Sequence, residues 1–216
     1  MTTRPDRKNL EAAYENAGLP HAIYSGEITP TQERTTWDAR NGAIAHSVIG
    51  KLAPFAQAIS LQERVHLARN AVEVALSGQS RLGRHDKAAL RILGLVSSYM
   101  RRYLPAHTTL FLGTELSAGD GRVDLGWSNQ EVGVFFDELK TWRHHTALID
   151  HSASLQIRRY LDAGVTEFGD RFAGVRLLTL GHSGGSLAFT PDGTVKPLAD
   201  SVLSTEYLST LEGVAS

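Results

Sequence analysis

The sequence predicts an α/β fold in which helices come first and a sheet follows. Apolar residues recur at helical spacing as far as residue 103, and from Thr108 the period turns strand-like, with short apolar runs separated by Gly, Asp and Asn. A further helical stretch leads into a short apolar run at residues 175–180, which suits a buried strand returning to the sheet in parallel. At 216 residues the chain is long enough for one domain with a sizeable core. Residues 1–85 are expected to form a mostly helical N-terminal part, and 86–216 an αβββαβ core with a C-terminal extension.

A hydrophobic content of 42% and a charged content of 21% are ordinary for a globular protein. The net charge of -1 gives no global signature of nucleic-acid binding, so any basic surface must be local. The absence of cysteine excludes a disulfide, a thiolate zinc site and a cysteine-ligated iron-sulfur cluster. The N-terminal stretch lacks the apolar core of a signal peptide, and no stretch approaches the roughly 20 apolar residues that cross a bilayer. The expectation is a cytoplasmic protein with no membrane partner.

Residues 1–26 are polar and mixed, with one short helix at 9–16 before Gly18 and Pro20. Thr29, Pro30 and Gln32 read as a helix start, because Thr29 can cap free amides and Pro30 suits the first helical position. That helix is expected to run to Leu52 and end before Pro54, with Ala43, Ile44, Val48, Ile49 and Leu52 as its apolar stripe and His46 beside it. A lone His there is more often a hydrogen-bonded, half-buried residue than a ligand. Gly42, four residues earlier, weakens the helix by about 1 kcal/mol relative to Ala, which points to close backbone packing.

Ser60 and Glu63 form a capping box that opens a second helix, with Leu61, Val65, Ala68, Val72 and Leu76 inward and Gly78 near its end. A third helix over 86–103 carries Ala89, Ile92, Leu93, Val96 and Met100 as its stripe, flanked by Arg81, Arg84, Lys87, Arg91, Arg101 and Arg102. Strands follow at 109–116, 122–127 and 132–139, the first two joined by a turn at Asp120 and Gly121. A helix at 152–163 closes at Gly164 and leads to the strand at 175–180. Residues 186–190 and 194–198 pair across Pro191, Asp192 and Gly193, and 201–211 suit a closing helix.

Two of these strands carry charge where an ordinary strand stays apolar. Asp124 stands between Val123 and Leu125, and the apolar run from Val132 meets Asp137, Glu138 and Lys140. Strand side chains alternate, so Val134, Phe136, Glu138 and Lys140 share one face and Phe135, Asp137 and Leu139 the other. Burying such charges alone costs several kcal/mol or more, so they need partners, a cation or solvent. A divalent cation held by Asp124 and Glu138, with Lys140 beside it, meets that need; so does a strand that ends at Asp137 with its charges in water.

Taken with their neighbours, these residues resemble the PD-(D/E)xK nuclease superfamily, and within it the RecB-type exonuclease domains. The chain has Gly42 and His46 in NGAIAH, Glu115 in GTEL, Gly121 and Asp124 in GRVDL, Glu138, Lys140 and Thr141 in ELKT, and Gln156 and Tyr160 in QIRRY, in the family's order. The resemblance covers residues 42–180. The third-strand acid is Glu, as in many RecB-type domains but not all of the superfamily, and the chain carries no helicase.

The resemblance implies a restriction-endonuclease-like core of helix, three-stranded meander, helix and strand. It implies a Mg²⁺- or Mn²⁺-dependent deoxyribonuclease that hydrolyses DNA phosphodiester bonds in repair, a mobile element or defence. Asp124, Glu138 and the backbone carbonyl of Leu139 are then ligands of the ion, with His46 and Glu115 joining them. Lys140 orients the attacking water or neutralises charge growing in the transition state. Gln156 and Tyr160, one helical turn apart, support the lysine or contact substrate, while Arg143, Arg158 and Arg159 hold phosphates. Asp137 leaves the opposite face and ranks below Glu138 as the acid. His144, His145 and His182 lack suitably spaced acidic neighbours and read as loop residues. The alternative is a nuclease-like module that binds nucleic acid or assembles with partners without cleaving, and the sequence leaves oligomeric state open.

Overall fold

The structure, a computed structural model, describes residues 36–77, 85–141, 151–181 and 185–211, without the side chains of 36–39, 85, 86 and 151–154. The helix expected at 9–16, the helix start at Thr29, the residue Gly78 and the side chains of Arg81, Arg84, Arg143, His144, His145 and His182 lie outside the described residues.

Three helices come first: α1 (Thr36–Ala56), α2 (Leu61–Leu76) and α3 (His85–Arg102). The capping box forms as its spacing predicts: Glu63 N–H donates to Ser60 Oγ at 3.3 Å, and Ser60 N–H donates to Glu63 Oε2 at 2.8 Å. Ala68, Val72 and Leu76 bury the α2 stripe. Leu61 was expected inward but is exposed, because the stripe deepens only after the half-buried Val65. The end expected before Pro54 is also corrected, since α1 runs through Pro54 to Ala56. A proline in the last turn forfeits one amide bond, and burial of Leu52, Ala53 and Ala56 against the helical core outweighs that loss.

The fold is mixed α/β, with a six-stranded sheet in the order β1 (Thr109–Ala118), β2 (Gly121–Asn129), β3 (Gly133–Lys140), β4 (Phe172–Thr179), β5 (Leu187–Phe189) and β6 (Val195–Pro197). The first three strands form an antiparallel meander, and α4 (His151–Phe168) carries the chain to β4, which lies parallel to β3. Strands β5 and β6 pair as the turn residues suggest and also extend the same sheet, because β5 takes the free edge of β4. Gly164 does not close α4 as expected. A Cβ there would lie 2.3 Å from the Phe172 ring, so this glycine serves close packing inside the helix rather than its end. The closing helix α5 (Thr205–Thr210) is shorter than 201–211, because Ser204 caps it by accepting from Tyr207 N–H at 3.1 Å.

The sheet separates two apolar layers. Toward α1 and α3 it presents Leu125, Trp127, Phe135, Leu139 and Leu178, packed with Ile49, Ile92 and Tyr99. Toward α4 it presents Val134, Phe136, Val175 and Leu177, packed with Ile157, Tyr160 and Leu161. Each fully buried Leu, Ile, Val or Phe contributes about 1.5–3 kcal/mol, so this alternation fixes the register of β3 firmly. It sends Asp137 into the first layer and Glu138 into the second.

Asp137 is fully buried and fully hydrogen-bonded. Arg176 of β4 meets both its oxygens, Nε to Oδ1 at 2.6 Å and Nη2 to Oδ2 at 2.7 Å, while Tyr99 Oη (2.8 Å) and Trp127 Nε1 (3.0 Å) donate to Oδ2. Arg176 Nη2 also donates to the Tyr103 carbonyl at 3.0 Å. Among the described residues no helix is long and apolar enough to cross a membrane.

Candidate active site

Strands β2 and β3 pair as far as Leu125 opposite Asp137 and then part. Asp124 sits in the resulting fork. Its Oδ2 accepts the Leu139 N–H at 2.7 Å, which replaces a ladder bond, and its Oδ1 lies 3.0 Å from His46 Nδ1.

Helix α1 delivers His46 by crossing the sheet end at close range. Gly42, His46 and Gly50 recur every four residues and therefore share one face. A Cβ at Gly42 would come within 2.6 Å of Thr141 Oγ1, and one at Gly50 within 2.5 Å of Thr114 Cγ2. The two glycines thus let the helix backbone lie against β3 and β1, with His46 between them reaching β2. Because a carboxylate can only accept, His46 Nδ1 carries a proton, so in the neutral imidazole the lone pair lies on Nε2. That Nε2 atom is buried and has no hydrogen-bond partner among the described residues, although a quarter of the side chain is exposed.

Glu138 and Lys140 leave β3 on the α4 side. Lys140 Nζ donates to Glu138 Oε1 at 2.6 Å and to Gln156 Oε1 at 3.1 Å. Gln156 Nε2 donates to Tyr160 Oη at 2.6 Å, and Tyr160 Oη donates to the Arg122 carbonyl at 2.5 Å. A polar relay therefore runs from β3 through one turn of α4 back to β2. Gly121 gives the Tyr160 ring room, since a Cβ there would stand 3.2 Å from it.

Burial, and then the nearby charge of Asp124, push the Glu138 carboxyl from its ordinary 4.5 up to about 7, against the opposing pull of Lys140. Burial alone would depress the His46 imidazole, but its hydrogen bond to Asp124 and the two carboxylate charges leave the net shift upward. The Tyr160 hydroxyl is raised by burial and by Glu138.

The structure thus brings together His46, Asp124, Glu138, Lys140, Gln156, Tyr160 and the Leu139 backbone. Glu115 stands apart: it is exposed on β1, with φ +51 and no side-chain hydrogen bond or ion pair among the described residues. Arg158 lies 3.8 Å from Asp162 along α4, and Arg159 is exposed. Two participants went unread in the sequence, the Arg122 carbonyl and Gly50. The eight-residue spacing of Gly50 from Gly42 was the available signal for the second; no side-chain signal marks a carbonyl.

No group of three or more His, Asp or Glu side chains forms a ready metal cage among the described residues. The donors present are two carboxylates that repel each other and a buried imidazole nitrogen with no hydrogen-bond partner among the described residues. Carboxylate oxygens are the donors that Mg²⁺ and Mn²⁺ take beside several waters, and an imidazole nitrogen is one that Mn²⁺ accepts. In comparisons with known proteins, no family model matches the chain and no curated protein matches it.

Proposed function

We propose that this protein is a metal-dependent deoxyribonuclease built on a restriction-endonuclease-like core. The observation that carries the reading is the convergence of Asp124, Glu138 and Lys140 at the fork, with Lys140 Nζ 2.6 Å from Glu138 and 3.1 Å from Gln156. The order α3, β1 to β3, α4, β4, with β4 parallel to β3, supports the same core.

Asp124, Glu138 and the Leu139 carbonyl would hold Mg²⁺ or Mn²⁺, with His46 Nε2 as a further donor. When bound, such an ion polarises the phosphate and lowers the pKa of a water. Lys140 neutralises charge that grows on the phosphate in the transition state. Gln156 and Tyr160, anchored on the Arg122 carbonyl, keep the lysine from swinging away, which preserves the alignment that makes its charge useful. Arg158 and Arg159, both on α4, would contact flanking phosphates.

The test is incubation with linear, circular and single-stranded DNA, and with RNA, in Mg²⁺ or Mn²⁺. The expected result is cleavage of DNA that a chelator stops. Absence of cleavage of every substrate by protein that binds the metal in calorimetry would overturn the proposal. Salt-sensitive DNA binding without metal binding would favour the non-cleaving module instead.

A further inference from the structure

We propose that the buried Asp137–Arg176 pair, with Tyr99 and Trp127, is a clamp that sets the opening of the β2–β3 fork and so positions Asp124 and Glu138. It deepens the nuclease reading, and rests on it for what the positioning is used for.

The clamp occupies the last closed rung. Asp137 pairs with Leu125, and among the described residues no further β2–β3 pair follows. Its carboxylate joins four elements, since Trp127 comes from β2, Arg176 from β4, Tyr99 from α3 and Asp137 itself from β3. Arg176 extends the connection to the carbonyls of Tyr103 and Leu203, at 3.0 and 3.4 Å. Well-packed apolar side chains often match a buried ion pair in stability, so what this pair adds is the fixed direction of its hydrogen bonds.

The site needs that geometry. One residue beyond the rung, Glu138 and Asp124 bring two carboxylates to the fork, and among the described residues the direct bond across the gap is that of Asp124 to the Leu139 amide. Two carboxylates side by side repel, which tends to spread the strands. A rung held by hydrogen bonds in fixed directions resists that spreading better than dispersion contacts, which tolerate sliding. Asp137, Tyr99, Trp127 and Arg176 are therefore positioning residues; they act through the backbone of β2 and β3.

Tyr99→Phe removes one donor and keeps the ion pair, and Asp137→Asn removes the charge. Amide hydrogen exchange, measured without metal, compares Leu139 at the fork with Phe135, two rungs back and paired with Trp127. The clamp predicts that the exchange rate of Leu139 relative to Phe135 rises about tenfold or more in Tyr99→Phe, and further in Asp137→Asn. A ratio that stays constant or falls would overturn it, and Tyr99→Phe alone decides the matter should Asp137→Asn fail to fold. In parallel, Mn²⁺ titration by calorimetry should give about tenfold weaker binding for Tyr99→Phe. A purely structural loss acts only through the folded fraction, so an unchanged Kd in a fully folded variant also counts against the clamp. Wild-type protein that binds no Mn²⁺ would overturn the nuclease reading, while the exchange ratio still decides the clamp.

Discussion

Replacing Glu138 with Gln should make the metal-free protein more stable at pH 8, although the change strikes the centre of the candidate site. The Glu138 side chain is only 5% exposed, so solvent screens its surroundings little. Its pKa is lifted from 4.5 to about 7, first by burial and then by Asp124. A carboxyl raised in the folded state contributes stability while protonated; that contribution is complete below pH 4.5 and is lost as pH rises through about 7. At about 1.4 kcal/mol per pH unit the gap amounts to about 3 kcal/mol, with the opposing Lys140 interaction already included. Gln keeps the shape and an acceptor for Lys140 but never ionises. The expected gain at pH 8 is about 1–3 kcal/mol, falling below about 1 kcal/mol at pH 5. For a chain of this size that corresponds to a Tm increase of about 2–4 °C per kcal/mol. Thermal unfolding in chelator at both pH values measures it. A loss of stability at pH 8, or an equal change at both, would refute the reasoning.

Lys140→Ala should slow DNA cleavage by about 100-fold or more while DNA binding changes by less than about threefold, since the side chain acts mainly on the transition state; equal loss of both, by cleavage and binding assays, would count against that role. Mn²⁺ affinity should rise with pH up to about 7 and then level, because Glu138 must shed its proton to ligate. Calorimetry in two buffers of different ionisation enthalpy reads the released proton, and a flat profile removes Glu138 from the ligand set. Gly42→Ala should destabilise by about 1–3 kcal/mol, because the added Cβ meets Thr141 Oγ1 at 2.6 Å and overpacks the crossing. Gly94→Ala, in α3 with nothing within 4 Å of its Cβ, should instead stabilise by about 0.5–1 kcal/mol. Urea unfolding compares the two signs.

What the sequence makes legible is whatever depends on neighbours along the chain. The switch of period at Thr108, the capping box at Ser60 and the opposed faces of Asp137 and Glu138 all follow from local spacing. Much of the site is legible for the same reason, since Glu138, Lys140, Gln156 and Tyr160 fall within one strand and one helix. What escapes depends on distant partners. Gly164 reads as a helix stop until the Phe172 ring is seen against it, and Pro54 as a boundary until the burial around it is weighed. Asp137 reads as a spare acid because its cation, Arg176, lies 39 residues away. The fork itself has no signature, because nothing local says where two strands stop pairing.

The hydrogen bonds of the site span very different lengths of chain. Lys140 and Gln156 are 16 residues apart, whereas His46 and Asp124 are 78 apart. Closing the longer loop costs about 1.4 kcal/mol more in chain entropy, from the logarithm of that ratio. In refolding, then, the lysine half should assemble first with β3 and α4, and the histidine half should follow when α1 docks. If the proposed nuclease reading holds, cleavage activity should be the last property the refolding chain recovers, behind the signal of its secondary structure.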